Sequence, residues 1–153
     1  AAYLGILNEL TQVVIHHEYN NDPYNIIHSS ISKHHIVHME ASGKTLKIFS
    51  STNGKHLFDI ELDNLRSPSA TLITGDALLV TDQDRNKLCK YELSPSPNPI
   101  WTYNELKWPT SVAVDESGLI YLASAGEPAI HIICPDKGKI IHNNILCSLL
   151  KVR

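Results

Sequence analysis

Histidine is the first residue type in this sequence that invites chemistry: six of the nine histidines fall at His16, His17, His28, His34, His35 and His38. An imidazole is the commonest metal ligand, so such a cluster suggests a metal site. On a strand, however, residues three apart face opposite sides, so His35 and His38 cannot close on one ion. No Cys or carboxylate stands at ligand spacing either, and the expectation is packing or exposed histidines with a modest pH sensitivity between about 5 and 8. Gly43-Lys44-Thr45 mimics the end of a phosphate-binding loop, but the motif's first glycine would fall where His38 stands. The motif also needs a helix after its Thr, whereas Leu46-Lys47-Ile48-Phe49 reads as a strand. Cys89 and Cys134 would need a neighbouring base to act as nucleophiles, and His131, three residues before Cys134, falls on the other strand face. Neither a catalytic residue nor a metal or cofactor is expected from these groups.

Binding chemistry is better represented than catalysis. Lys44, Arg85 and Lys87 lie in or beside two loops that occupy equivalent places in the chain, and would offer cations side by side. Ser94-Pro95-Ser96-Pro97-Asn98-Pro99 cannot donate a ladder of hydrogen bonds and reads as an extended surface loop. Ser94 and Ser96, each before a proline, are candidate phosphorylation sites whose added charge would alter a contact face. Lys44, Arg85, Lys87, Ser94 and Ser96 are therefore the candidate partner-binding residues. For RNA the stripe of bases breaks off at the third loop, 125–129, which contains Glu127, and these loops carry no stacking aromatic.

Bulk properties narrow the partner class. With 13 Lys+Arg against 16 Asp+Glu the formal charge is −3, so no net field attracts a polyanion and RNA is not favoured. Hydrophobic residues make up 42% of the 153, enough for a core, but uninterrupted apolar runs stay at four to six residues, which leaves no membrane span. The first residues show neither a basic start nor a long apolar segment, so no signal peptide is visible. Cys89, Cys134 and Cys147 make an odd number without paired spacing, which favours reduced thiols and a cytoplasmic location.

The elements that position these residues repeat. Ile36-Val37-His38-Met39-Glu40, Leu78-Leu79-Val80-Thr81-Asp82 and Ile120-Tyr121-Leu122-Ala123-Ser124 start 42 residues apart each time. Leu46, Leu88 and Ile130 open a second block in the same register, while Pro68 and Pro109 correspond with one residue of slippage. Each unit holds four short runs rich in Ile, Val, Leu and Tyr, punctuated by Gly, Pro, Asn, Asp and Ser. Gly75, Gly118 and Gly138 stand where tight hairpins need positive φ. Four antiparallel strands at a constant period of this length describe an all-β chain, the blades of a β-propeller. The blades fall at about 25–62, 67–103 and 109–143, with the second half of another at 1–18 and the opening of a further one at 145–153. That is about three and a half blades, a partial propeller rather than one complete domain.

Trp108-Pro109-Thr110-Ser111-Val112-Ala113-Val114-Asp115-Glu116-Ser117-Gly118-Leu119-Ile120-Tyr121-Leu122 resembles the opening of the NHL repeat, P-x-x-V-A-V-D-x-x-G-x-I-Y-V. Asp82 and Lys87 are similar to that family's Asp at one strand end and basic residue at the next strand start. Glu40 and Ser124 replace the Asp in the other blades, and Thr45 and Ala129 replace the base. Degenerate repeats of this kind resemble those at the C-terminus of TRIM-type ubiquitin ligases. The resemblance implies a non-catalytic scaffold that recognises a protein, the partner-recognition part of a larger multidomain protein, or in some relatives an RNA hairpin. The full-length protein could then be a ligase, although this chain holds no RING, B-box or zinc framework. An alternative is a propeller hydrolase of lactonase type, with a metal in the channel and Asp82 and Asp115 as candidate carboxylates.

Overall fold

A computed structural model describes residues 26–40 and 44–141. The half blade expected at 1–18 and the opening expected at 145–153 lie outside these residues. Among the described residues twelve strands form three four-stranded sheets, each a meander whose spatial order follows the chain. Blade 1 holds β1 (Ile26–Ile31), β2 (His35–Glu40), β3 (Thr45–Ser50) and β4 (His56–Glu61). Blade 2 holds β5 (Pro68–Thr74), β6 (Ala77–Asp82), β7 (Lys87–Glu92) and β8 (Pro99–Tyr103). Blade 3 holds β9 (Pro109–Val114), β10 (Ile120–Ser124), β11 (Ile130–Cys134) and β12 (Lys139–Ile140). All pairs are antiparallel because the turns between them are too short for a crossover. Among the described residues no helix is long and apolar enough to cross a membrane.

The repeat read from the sequence is a repeat of register. Ile36 pairs Phe49, Leu78 pairs Tyr91 and Ile120 pairs Ile133, each pair displaced 42 residues from the last. On the first strand Ile73 faces Leu78 and Val114 faces Ile120, so the single residue of slippage falls between blades 2 and 3. A bulge recurs where the first strand begins, between Ile26 and His28, between Pro68 and Ala70, and at Ser124 opposite Pro109. Proline is tolerated there because a bulge relieves it of a ladder hydrogen bond. Gly75, Gly118 and Gly138 take φ of 57°, 91° and 60°.

The sheets stack side by side with β1, β5 and β9 as neighbours, the packing of propeller blades. Period-two alternation splits each strand between its two neighbours. Val37, Met39, Leu46 and Ile48 of blade 1 meet Leu78, Val80, Cys89 and Tyr91 of blade 2 in one core. Leu79, Leu88 and Tyr103 on the other face of blade 2 meet Ile120, Leu122 and Ile133 of blade 3 in a second. Blade 2 is thus covered on both faces, and every residue of β6 is buried.

Candidate functional site

Because each blade is a meander, its connections divide between two ends. One end carries the linkers 62–67 and 104–108 together with the turns 83–86 and 125–129 and the approach to β3 at Lys44. The other carries the hairpin turns 75–76 and 115–119 and the loops 93–98 and 135–138. The five candidate binding residues do not share a surface: Lys44, Arg85 and Lys87 belong to the first end, Ser94 and Ser96 to the second. Ser96 is exposed and Ser94 half-buried.

At the first end, strand ends fasten the linkers. The carboxylate of Asp82, fully buried, accepts the backbone N–H of Arg66 at 2.9 Å and of Ser67 at 3.0 Å. Arg85 donates its guanidinium to the Asn64 carbonyl, and the Lys44 carbonyl accepts the Leu62 N–H at 2.7 Å. The Arg85 guanidinium and the Lys44 backbone therefore bracket the first linker, and Lys87 lies opposite Asp82 in the ladder. Gln83 N–H to Ser67 O at 2.9 Å recurs as Ala125 N–H to Trp108 O at 3.0 Å. The side-chain chemistry inverts between blades: where Asp82 accepts from N–H groups, Ser124 donates its hydroxyl to the Lys107 carbonyl.

This second linker holds the feature that sequence reasoning missed. Trp108 is 57% exposed and sits at φ 51°, a left-handed conformation costly for a bulky side chain and worse before proline. Its N–H is held by the Asn86 side-chain oxygen at 2.7 Å, and its C=O by the Ala125 N–H. Lys107 donates its N–H to Glu127 at 3.2 Å, and Gly126 lies so close that an added Cβ would sit 2.8 Å from the Lys107 oxygen. Two turns from two blades thus clamp the peptide that presents the ring. The aromatic absent from the loops 83–87 and 125–129 is supplied beside them by the linker. Position 108 corresponds to Ser67 in the previous linker, and that exchange of serine for tryptophan was the available signal.

The two carboxylates named for a channel metal are engaged within the fold. Asp82 and Asp115 stand at opposite ends of their blades with their oxygens occupied. Asp115 accepts the Ser117 hydroxyl at 2.6 Å, the Ser117 and Leu119 N–H groups at 2.9 and 3.0 Å, and the Tyr121 hydroxyl at 2.9 Å. The Ser117 hydroxyl above all, with the Tyr121 hydroxyl and the two N–H groups, holds this carboxyl below the usual carboxylate range. A depressed carboxyl stabilises the fold above its unfolded value of 3.8, and that contribution disappears as pH falls through the lower folded value. An NMR pH titration is therefore expected to place Asp115 below 3.8, and Tyr121→Phe to move it back up; a midpoint above 3.8 would contradict the turn geometry. No group of three His, Cys, Asp or Glu that could hold a metal occurs among the described residues.

Cys89 is free and buried inside β7, and burial pushes its thiol up, away from the reactive thiolate. Cys134 is disulfide-bonded, against the expectation of reduced thiols. The Tyr103 hydroxyl lies 2.5 Å from His131 Nδ1, tying β8 to β11 across the blade boundary. Burial first, then Glu105 and Glu127, pushes Tyr103 up to about 12; Tyr103 is buried and His131 half-buried. His35 and His38 do face opposite sides: His38 is buried edge-on to Phe49, 5.3 Å between ring centres, and Phe49 meets His56 at 5.5 Å. His16 and His17 lie outside the described residues.

No family model matches the chain, and no curated protein matches it. Solved structures do. A catalytically inactive virginiamycin B lyase from Staphylococcus aureus with quinupristin superposes with a TM-score of 0.60 at 18% identity, over 86% of this chain and 45% of that one. Glutaminyl cyclase from Myxococcus xanthus gives 0.58 at 9% identity over 74% and 49%. BamB from Moraxella catarrhalis gives 0.52 at 18% over 74% and 32%. The chain has the β-propeller fold, and it spans less than half the length of each of these proteins. At such identities the likeness extends to the fold alone.

Proposed function

We propose that this chain is a non-catalytic, NHL-like propeller scaffold that takes a protein partner on the end carrying Trp108. In that role it serves as the recognition part of a larger protein of the TRIM-type arrangement. One observation carries the reading: an exposed tryptophan held in a left-handed conformation. Such a conformation costs roughly 1–2 kcal/mol for a non-glycine residue and persists only where the surroundings over-determine it, as at binding sites. Tryptophan is among the residues most enriched at the centres of protein interfaces. The RNA alternative gains a stacking ring but has Arg85 committed to the Asn64 carbonyl, and Asp63, Asp84, Glu105 and Glu127 offset Lys44, Arg66, Arg85 and Lys107 in the same connections, leaving no net positive field. A polyanion is not favoured there. The channel-metal alternative has no converging ligands among the described residues, and the lyase and cyclase share too little sequence to lend their chemistry.

Trp108→Gly tests the reading, because glycine accepts the same backbone at little steric cost. Stability in urea is expected to stay within about 1 kcal/mol of the parent, strain relief offsetting backbone entropy and the few contacts of an exposed ring. Affinity for the partner captured by a photoreactive phenylalanine at position 107 is expected to fall at least tenfold. Capture from position 96 at the opposite end, with none from 107, would sink the proposal.

A further inference from the structure

Four register positions recur on the side that each blade turns to its successor. On blade 1 they are Val37, Met39, Leu46 and Ile48, all at 0% exposure. Forty-two residues on, Leu79, Thr81 and Leu88 are again at 0%, with Lys90 half-buried beside them. A further period on they are Tyr121, Ala123, Ile130 and Ile132, where Ile130 is 67% and Ile132 37% exposed. Ile130 and Ile132 stand there exposed, and Ile130 is the most exposed large hydrophobic among the described residues.

We propose that this flank of blade 3, built on β10 and β11, is an interface for one further antiparallel blade. The two existing boundaries show what fits. The side facing the flank presents large apolar residues from its second and third strands: Leu78, Val80 and Tyr91 at the first boundary, Ile120, Leu122 and Ile133 at the second. The flank is continuous with those interfaces in register, so the same pattern is its complement. One difference is specific. At the boundary before it, the Lys90 ammonium and the Trp101 indole both donate to the Pro135 carbonyl, at 2.7 and 2.9 Å. At the flank the place of Lys90 is taken by Ile132, so the incoming blade needs no such carbonyl and meets Ile130, Ile132 and Ala123 with the Tyr121 ring, whose hydroxyl is held by Asp115.

The test uses the full-length polypeptide with Ile130→Cys, and Ser117→Cys in an exposed turn as the reference. Maleimide is expected to label position 130 at least tenfold more slowly than position 117 under native conditions, and equally fast in denaturant. Equal native rates would overturn the proposal. Protection that vanishes on dilution together with a halving of mass in light scattering would assign the flank to a second copy instead, and overturns it too. Ile130→Asp should lower the urea midpoint of the same polypeptide while Ser117→Asp leaves it in place; no difference between them counts against an interface.

Discussion

Gly138→Ala is expected to cost about 2–4 kcal/mol in urea denaturation, from a left-handed backbone and an overpacked boundary acting together. Gly138 sits at φ 60° in the turn between β11 and β12, and a Cβ there would lie 2.3–2.6 Å from the Trp101 ring atoms. A ring on a flexible tether would swing aside, but this one is fixed. Its Nε1 donates to the Pro135 carbonyl at 2.9 Å, and the Lys90 ammonium, 5.8 Å from the ring centre, donates to the same carbonyl at 2.7 Å. Burial lowers the Lys90 ammonium's pKa, with Asp136 opposing the shift. Moving the ring therefore uncouples a desolvated cation, and the strain spreads into the contact between blades 2 and 3. Gly75→Ala supplies the control: φ is 57° but nothing lies within 4 Å of the added Cβ. It is expected to cost about 1 kcal/mol, the backbone term alone. Equal costs for the two substitutions would mean that the Trp101 contact contributes nothing.

The architecture was legible because a propeller writes itself as period. Leu46, Leu88 and Ile130 share one register position, and the pairings Met39 with Leu46, Thr81 with Leu88 and Ala123 with Ile130 follow from it. Pro68 and Pro109 disclosed the one residue of slippage. The site was less legible. Arg85 is a cation in any sequence reading, and only the fold shows its guanidinium spent on a carbonyl of the preceding linker. In the sequence Trp108 reads as the opening of a repeat unit, since neither propensity nor spacing encodes a left-handed residue before proline. That conformation is imposed by Asn86, Ala125, Ser124 and Glu127, which reach the linker from two blades. Composition alone places Ser94 and Ser96 with the bases, whereas a meander sends alternate connections to opposite ends.

Asp82→Ala is expected to cost about 2–4 kcal/mol, because it removes from a buried position the acceptor of both the Arg66 and the Ser67 N–H groups. Asp82→Asn keeps one acceptor oxygen and turns an NH2 toward a donor, so it should recover only part of that loss. The readout that separates a fastening role from mere packing is amide exchange. Protection at Arg66 and Ser67 should collapse in Asp82→Ala while the β6 amides keep theirs relative to the global unfolding limit. Uniform loss across the blade would mean that Asp82 supports the sheet and not the linker. Ser124 holds the same register position one blade on, where its hydroxyl meets the Lys107 carbonyl in an exposed setting. Ser124→Ala should therefore cost less than about 1 kcal/mol, since water can satisfy that carbonyl. Its effect should be felt at Trp108, whose neighbouring peptide loses one of its pins and with it part of the clamp that holds the ring toward solvent.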